Sequence, residues 1–344
     1  MKDLYDDNGY LNFRTLRELP YPFIIAIGGR GTGKTYGALK TCVEDHIFFG
    51  WLRRTQAQAD LISKPEFSPI KPVCRDTGWK IRPASVAKGI SAYYRYEEDN
   101  GKAVTVGAPL GINLALSTAA NIRGFDASDL DMLIYDEAIP EPGEKPLKQE
   151  YEKLLNCYET MARNRELAGR PPLKFIALAN PNKLTAPILE GMRLVGILDR
   201  MTAKGRELYT DDRRGLALLR LQDSPISKAK ADTALYRLET GTYADMAISN
   251  MFAYEDRGRI GSIPLAELVP IVSVGELTIY RHKSKRGLYY TTFHRSGDPP
   301  RYTTSARDIG KLLRAYSWLP EIILSDDMIF ESYEVQTLLT NYIM

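Results

Sequence analysis

The fold is decided by FIIAIGGRGTGKT, residues 23–35, in which an apolar run passes directly into a glycine-rich loop. The loop matches the spacing GxxxxGK[ST] without a gap, in the strand, loop and helix context that this motif requires. Its glycines allow backbone N–H groups to turn inward around phosphate oxygens, and the following helix adds the positive end of its dipole. The stretch therefore predicts a nucleotide site rather than an ordinary glycine-rich turn.

The residues of this loop have distinct expected roles. Lys34 is expected to reach the β- and γ-phosphates, and Thr35 to offer its hydroxyl to Mg²⁺. ATP and Mg²⁺ are the cofactors that such a set implies. The predicted nucleotide-binding residues are Gly28, Gly29, Arg30, Gly31, Thr32, Gly33, Lys34 and Thr35.

A second motif is acidic. The apolar run Leu130 to Tyr135 ends in Asp136-Glu137, which places two carboxylates at the carboxyl end of a strand beside the first loop. Asp136 is predicted to hold Mg²⁺ through water, and Glu137 to polarise an attacking water. The pair favours a hydrolysing ATPase. The alternative is an exposed acidic pair that caps the next helix.

A third apolar run, Leu173 to Ala179, ends at Asn180 and predicts the next parallel strand of the same sheet. Asn180 is expected beside the γ-phosphate, where its amide could bind the attacking water; a turn residue before proline is the alternative. In the sequence Asn182-Lys183-Leu184-Thr185, Thr185 stands where a guanine-reading carboxylate would be. This disfavours GTP.

Several arginines could have a functional role or could simply be solvated surface charges. The pair Arg53-Arg54, at the end of the predicted strand Ile47 to Leu52, could reach phosphates or lie solvated at a loop mouth. Arg163, on a helix predicted over Cys157 to Glu166, and Arg123 could each serve a neighbouring subunit, and a solvated charge is the alternative. Arg163, Arg165 and Arg170 could also form part of a nucleotide-kinase lid, although Glu137 fits hydrolysis better.

Composition is that of an ordinary soluble globular chain: 344 residues, 44% hydrophobic, 26% charged, formal net charge +3. Cys42, Cys74 and Cys157 match no zinc pattern, which predicts reduced thiols. Neither a signal peptide nor a run long enough to span a membrane is recognisable. The expected compartment is the cytoplasm.

The chain is predicted to form three regions: residues 1–222 as the nucleotide-binding domain, 223–252 as a helical linker or lid, and 253–344 as a β-rich domain. Within the first, Lys64 to Gly111 predicts an antiparallel insertion, with a hairpin turn at Asp99-Asn100-Gly101. The strands Leu277 to Lys283 and Gly287 to Phe293 are predicted to pair in the last region.

The last region has a segregated charge. Residues 281–314 contain nine lysine and arginine residues but only two acidic residues, Asp298 and Asp308. Such a basic face, interleaved with tyrosine and phenylalanine, suits a polyanion or an acidic protein partner. A solvated strand face is the alternative.

These motifs occur in matching order in one family. The loop, Arg53-Arg54, Ile134 to Glu137, Arg163 to Glu166 and Leu178 to Asn180 resemble the double-stranded DNA packaging ATPases of small short-tailed, phi-twenty-nine-like bacteriophages, relatives of terminase large subunits. The fold implied is an α/β P-loop ATPase of the ASCE type with a mainly parallel sheet. A smaller α+β C-terminal domain that resembles a degenerate RNase H-like nuclease follows it.

The resemblance also implies roles and partners. It implies a homo-oligomeric ring, expected to be a pentamer, that is docked on the portal of a procapsid in the host cytoplasm and is absent from the mature virion. Arg30 matches the arginine that terminases carry in the loop. Arg163 falls on the trans-acting finger, Arg123 on a second basic residue at the subunit boundary, and Asn180 on the coupling motif. A structural RNA partner is left open.

The same resemblance predicts an ATPase without nuclease activity. An RNase H-like nuclease needs about three carboxylates to hold two metals, whereas the candidates here are Glu276 and the late pair Asp326-Asp327. Double-stranded DNA would be contacted through its phosphates, with Lys64, Lys71 and Lys88 as candidates. A terminase-like enzyme that also cuts DNA and a nucleotide-gated assembly protein that translocates nothing remain the two rival hypotheses.

Overall fold

The computed structural model describes residues 4–122, 127–141, 143–221, 224–230, 232–238 and 259–343. Contacts divide the chain into two compact units, the first of residues 1–191 and 205–253 and the second of residues 192–204 and 254–344. The segment 192–204 thus groups with the second unit, whereas the sequence predicted it inside a domain of residues 1–222.

The first unit is built on a nine-stranded sheet in the order β3-β4-β5-β2-β6-β7-β1-β9-β8. Its strands are β1 Phe23–Gly28, β2 Phe49–Arg53, β3 Ile81–Ala87, β4 Ile90–Asp99, β5 Lys102–Ala115, β6 Met132–Asp136, β7 Lys174–Ala179, β8 Leu208–Asp211 and β9 Leu216–Leu221. From β5 to β9 the central strands pair in parallel. The central strands are buried almost throughout, as expected when both faces of a parallel sheet are covered.

The order of the central strands defines the class of the fold. Strand β7 lies between β1, which carries the glycine-rich loop, and β6, which carries the acidic pair. An inserted strand at this place is the arrangement of the ASCE class, so the predicted fold is confirmed. The carboxyl ends of β2, β6, β7 and β1 therefore meet at one edge of the sheet.

The helices and short 3₁₀ segments of the first unit surround this sheet. They are α1 Phe13–Arg17, α2 Lys34–Glu44, α3 Gln56–Ile62, α4 Ile70–Thr77, a 3₁₀ segment Leu116–Ile122, α5 Glu150–Ala162, α6 Pro187–Gly191, α8 Pro225–Lys230 and α9 Ala234–Leu238. The helix predicted directly after the loop is confirmed as α2. Helix α3 begins with a capping box between Thr55 and Gln58.

The helix predicted over Cys157 to Glu166 is displaced. Helix α5 begins at Glu150 and ends at Ala162, and it buries Leu154, Cys157 and Met161 on one face. The polar run after Ala162 offers no further apolar position to bury, and Arg163 leaves the helix with φ +46°. Arg163 therefore follows the helix rather than lying on it.

The predicted antiparallel insertion is confirmed, with more structure than its sequence indicated. Strands β4 and β5 form a long hairpin in which Asp99 faces Lys102. Asn100 and Gly101 have φ of +50° and +74°, which suits the two central positions of a tight hairpin turn. Strand β3 and helix α4 were not predicted, because the prolines of this segment obscure their short apolar patterns.

The second unit contains a smaller five-stranded sheet in the order β13-β10-β11-β12-β14. Its elements are α7 Val195–Ala203, a 3₁₀ segment Leu265–Glu267, β10 Leu268–Val274, β11 Leu277–His282, β12 Tyr289–Thr292, β13 Arg301–Tyr302, α10 Ala306–Ala315, α11 Leu319–Leu324, β14 Met328–Phe330 and α12 Tyr333–Ile343. Strands β10 to β12 are antiparallel, and β11 pairs with β12 as predicted. Helices pack on the sheet around buried Val272, Ile279 and Leu312. The smaller α+β domain is confirmed.

No helix in the described part of the chain has the length and apolar character needed to cross a bilayer. The three cysteines carry free thiols. Cys157 is buried, and this burial raises the pKa of its thiol to about 12.

Candidate nucleotide-binding and hydrolysis site

The glycine-rich loop connects β1 to α2 at the carboxyl edge of the first sheet. Strand β1 ends at Gly28 and α2 begins at Lys34. Gly31 and Gly33 have φ of +68° and +83°, a region that only glycine adopts without strain. The Thr32 hydroxyl donates to the Gly29 carbonyl at 3.0 Å, which closes the loop on itself. The loop therefore has the conformation that its glycines predicted.

Lys34 lies at the centre of the loop with only 8% of its surface exposed. Its ammonium donates to the Gly28 and Gly29 carbonyls, both at 2.7 Å, and to the Asn180 amide oxygen at 3.1 Å. Burial lowers the pKa of Lys34 to about 7, although the neighbouring carboxylate of Asp136 opposes this shift. A cation held mainly by neutral oxygens is poised to exchange them for phosphate oxygens.

Thr35 and Asp136 supply the oxygen ligands that a magnesium ion would need. The Thr35 hydroxyl donates to Asp136 at 3.0 Å, and Asp136 is buried at the end of β6. Burial raises the pKa of the Asp136 carboxyl, and the charge of Arg53 opposes this. Mg²⁺ is usually bound by one or two carboxylates together with substrate phosphates. The pair fits that chemistry, and no group of three His, Cys, Asp or Glu side chains that could hold a metal alone occurs among the described residues.

Glu137 follows Asp136 in a strained conformation and is held by an arginine. Its φ is +56°, and its side chain is 45% exposed. Arg53 lies at 2.6 Å from the Glu137 carboxylate and at 3.1 Å from that of Asp136. Both predicted carboxylates are therefore bound by one guanidinium.

Arg53 is a site residue whose position the sequence did not specify. It is 7% exposed, so the interpretation of a solvated arginine is wrong. Strand β2 pairs with β6 so that Leu52 lies opposite Tyr135, which brings the next residues, Arg53 and Asp136, side by side. Only the pairing of these two strands, distant in sequence, reveals this contact.

Arg54 points to a different network and is also buried, at 1% exposure. Its guanidinium lies at 2.9 Å from Glu150 at the start of α5 and at 2.8 Å from Glu144 in the preceding loop. Tyr135 donates to the same Glu150 carboxylate at 3.3 Å. Arg54 thus fixes the loop that follows the acidic pair.

A cavity of about 880 Å³ adjoins the loop, a size in the usual range for ligand pockets. It is lined by Asp6, Asn8, Tyr10, Gly31, Lys34, Thr35, Tyr36, Asp136, Glu137 and Asn180, with further residues of α2 and α4. Arg30 also lines it, and its guanidinium forms an ion pair with Glu141. The N-terminal segment was not predicted to contribute, because nothing in its sequence marks it as part of a site.

Arg163, one of the two arginines predicted to act between subunits, lies away from the cavity. Arg163 is exposed at the carboxyl end of α5 and is not among the residues that line the cavity. Arg165 is buried and donates to the Leu130 carbonyl at 2.7 Å, so it supports the loop before β6. Arg123 lies outside the described residues. The roles of Arg163 and Arg123 between subunits therefore stay predictions.

The lysines predicted to contact DNA are separate from the cavity. Lys64 follows α3, Lys71 lies in α4, and Lys88 lies at the turn between β3 and β4; all three are exposed. In the second unit, Glu276 lies in the turn between β10 and β11, and Asp326 and Asp327 precede β14. The structure thus brings the glycine-rich loop, with Lys34 and Thr35, together with Asp136, Glu137 and Asn180. It leaves Arg163, Lys64, Lys71 and Lys88 apart from them.

Two solved structures share this fold over nearly their whole length. The Phi-28 gp11 DNA packaging motor matches with a TM-score of 0.62 and 16% sequence identity, over 98% of this chain and 98% of that chain. The bacteriophage Phi-29 viral genome packaging motor assembly matches with a TM-score of 0.64 and 17% identity, over 97% of this chain and 99% of that chain. No family model matches the sequence, and no curated protein is significantly similar to it.

The sheet order and the loop define the class: this is a P-loop protein of the ASCE type with a second, smaller α+β unit. Within that class, it has the fold of phage DNA packaging motors. At these sequence identities the likeness concerns the fold. The resemblance that the motifs indicated is confirmed at that level.

Proposed function

We propose that this protein is the ATPase of a double-stranded DNA packaging motor. The single observation that carries the proposal is the convergence of Lys34, Thr35, Asp136 and Glu137 at one sheet edge. The fold shared with packaging motors supports the choice of this activity among those of P-loop proteins. ATP is the substrate and Mg²⁺ the cofactor.

In the proposed reaction, Lys34 binds the β- and γ-phosphates in place of the Gly28 and Gly29 carbonyls. Mg²⁺, held by Thr35 and Asp136, would neutralise phosphate charge. Glu137 must leave Arg53 before it can accept a proton from the attacking water, because a guanidinium-bound carboxylate is a weaker base. Release of Glu137 from Arg53 is then a step at which hydrolysis can be controlled.

The proposed assembly is a ring, with five subunits as the expected number. Arg163 acts in it as a trans-acting finger: its exposed position beyond α5 suits contact with the nucleotide of a neighbouring subunit. Such an arginine typically raises hydrolysis by about 10³-fold or more. Arg123 is proposed as a second basic residue at the boundary, and Asn180, which contacts Lys34, as the residue that reports loss of the γ-phosphate.

The proposed DNA contacts are independent of base sequence and come from Lys64, Lys71 and Lys88. All three are exposed on the insertion, whereas the tip of the β4–β5 hairpin carries Glu97, Glu98 and Asp99, which would repel phosphates. The motor is proposed to dock on the procapsid portal in the host cytoplasm, with the second unit inactive as a nuclease.

The test is the steady-state ATPase rate with and without linear double-stranded DNA. Wild type is expected to be stimulated by DNA, and the stimulation to fall as salt rises. Replacement of Lys64, Lys71 and Lys88 by alanine is expected to weaken it. The matched control replaces three exposed lysines elsewhere, Lys148, Lys183 and Lys204, and is expected to retain stimulation.

Two results would contradict the proposal. ATP turnover that ignores DNA at every salt concentration would indicate a nucleotide-gated assembly protein. Metal-dependent nicking of plasmid by the purified chain would indicate a terminase-like enzyme that also cuts DNA.

A further inference from the structure

Helix α8 lies beside the phosphate-binding loop, although it follows the last strand of the sheet. Strand β9 ends at Leu221, which pairs with Gly28 at the start of the loop. Their contact is close, since a Cβ on Gly28 would lie 2.6 Å from that of Leu221. The chain therefore leaves the sheet at the nucleotide site.

The turn formed by residues 6–11 packs between α8 and the phosphate-binding loop. On one side, the Ser224 hydroxyl donates to the Gly9 carbonyl at 2.9 Å, and a Cβ on Gly9 would lie 2.8 Å from the Ile226 nitrogen. On the other side, a Cβ on Gly33 would lie 2.8 Å from that of Tyr10. The amide of Leu11 donates to the Thr32 carbonyl at 2.8 Å. Helix α8, the turn and the loop thus form one packed group.

Lys230, the last residue of α8, completes this group. Its ammonium donates to the Arg30 carbonyl and lies so close to Gly31 that a Cβ there would overlap it. Within the described part of the chain, no carboxylate lies at ion-pair distance from this ammonium, and its burial lowers the pKa of Lys230. A partly buried cation whose acceptor is a neutral carbonyl has a strong electrostatic preference for an anion.

The position of Lys230 identifies that anion. The backbone N–H groups of such a loop surround the α- and β-phosphates, and its lysine, here Lys34, reaches the β- and γ-phosphates. Lys230 is also near enough to Lys34 for its charge to lower the pKa of that residue. Since these two cations repel one another, phosphate charge between them would stabilise both.

We propose that Lys230 is a nucleotide-sensing residue: with a triphosphate bound, its ammonium exchanges the Arg30 carbonyl for the terminal phosphate, and α8 moves with it. This rests on the nucleotide site proposed above. With a diphosphate bound, Lys230 keeps its carbonyl. The occupancy of the site is thereby transmitted to α8.

The test compares binding of a non-hydrolysable ATP analogue and of ADP, each with Mg²⁺, by isothermal titration calorimetry. For Lys230→Ala, the dissociation constant of the analogue is expected to rise by about tenfold or more and that of ADP by less than about twofold, as loss of a charge-assisted hydrogen bond requires. Lys230→Arg should restore most of the difference. The control Arg237→Ala removes an exposed cation from α9 and should change neither constant.

A second measurement uses wild type alone and so does not depend on the folding of a variant. Hydrogen exchange of the α8 amides is expected to differ between the analogue-bound and ADP-bound proteins. Equal losses of affinity for both nucleotides, tighter binding of the analogue by Lys230→Ala, or identical α8 exchange in the two complexes would overturn the proposal. If Lys34→Ala binds both nucleotides as wild type does, the nucleotide site itself is wrong.

Discussion

The two sheets of this protein bury polar side chains of different kinds. At the carboxyl edge of the first sheet, the buried groups are charged: Lys34, Arg53 and Asp136. In the second sheet they are mostly hydroxyls, and the pair Ser273 and Thr278 meets at 2.9 Å between adjacent strands. Burying charges costs several kcal/mol even when they are paired, whereas a hydrogen-bonded hydroxyl pair costs little.

This difference between buried charges and buried hydroxyls indicates that the carboxyl edge of the first sheet is less stable than it could be, because its charged groups are kept available for chemistry. At the carboxyl edge of the first sheet, the Lys34 ammonium is bound largely by neutral carbonyls, and one arginine, Arg53, binds both carboxylates. Phosphate binding would relieve this arrangement. The second sheet has its hydroxyls satisfied within the unit. Substitutions at the first edge should therefore change activity and stability strongly, and those in the second sheet should change stability alone.

The largest effect is expected for Glu137→Gln. The amide keeps the size of the side chain but cannot take a proton from water, so the ATPase rate should fall by about 10²-fold to 10⁴-fold. Nucleotide binding, measured by calorimetry, should persist because Lys34 and Thr35 are unchanged. The matched control is Glu159→Gln on α5. A Glu137→Gln variant with more than half the wild-type rate would remove Glu137 from the reaction.

The next largest effect is expected on the free energy of unfolding when the Arg53 guanidinium, which binds both carboxylates, is removed. Arg53→Met leaves the buried Asp136 carboxylate without its cation and should lower the free energy of unfolding by about 3 kcal/mol. Urea denaturation without nucleotide measures this. The loss should be smaller when Asp136→Asn is already present, because the uncompensated charge is then gone.

The control for this prediction is Arg75→Met. Arg75 is 78% exposed and paired with Asp76 on the surface, so the change should stay within about 0.5 kcal/mol. Equal stabilities of Arg53→Met and Arg75→Met would contradict the view that the first edge depends on its paired charges.

The third prediction concerns proton uptake. Burial lowers the pKa of Lys34 from 10.5 to about 7, whereas the unfolded chain holds this proton up to the higher value. Lys34 therefore makes the free energy of unfolding rise with pH between these limits. Since phosphates favour the charged form, nucleotide binding should take up a proton at pH 8, and affinity should fall by up to about tenfold per pH unit above 7.

Calorimetry in two buffers of different ionisation enthalpy measures this uptake. Lys183→Met, which removes an exposed lysine outside the site, should leave the uptake unchanged. An absence of proton uptake at pH 8 in wild type would mean that the loop holds Lys34 charged before nucleotide arrives.

The smallest effect is expected in the second sheet. Thr278→Val leaves the Ser273 hydroxyl buried without its partner and should cost about 1–2 kcal/mol in the free energy of unfolding. Adding Ser273→Ala should recover part of that loss, and the ATPase rate should not change in either variant. A rate loss comparable with that of Glu137→Gln would place chemistry in the second sheet and break the comparison.

What the sequence predicted correctly was encoded locally. The conformation of the loop from Gly28 to Thr35 is determined by its closely spaced glycines. The pair Asp136-Glu137 directly follows an apolar run that is recognisable as a strand. Their convergence also follows, since parallel strands end at one edge. The hairpin turn at Asn100 and Gly101 is local in the same sense.

What the sequence did not predict depends on pairing between distant segments. The role of Arg53 required the alignment of β2 with β6, and Lys230 meets Arg30 from 200 positions away in the chain. The end of α5 before Arg163 was missed because the polar run after it has no apolar period. Arg54 was equally ambiguous, since burial by Glu150 is a tertiary property.

The most direct test of the motor account is a mixing experiment on the DNA-stimulated ATPase rate. Arg163→Ala keeps its own nucleotide site but offers no finger, whereas Lys34→Ala has a defective site and still offers one. Each variant alone should be nearly inactive, and an equimolar mixture should recover part of the wild-type rate because neighbours complement each other. A mixture that stays as inactive as its components would contradict a ring in which Arg163 acts across the subunit boundary.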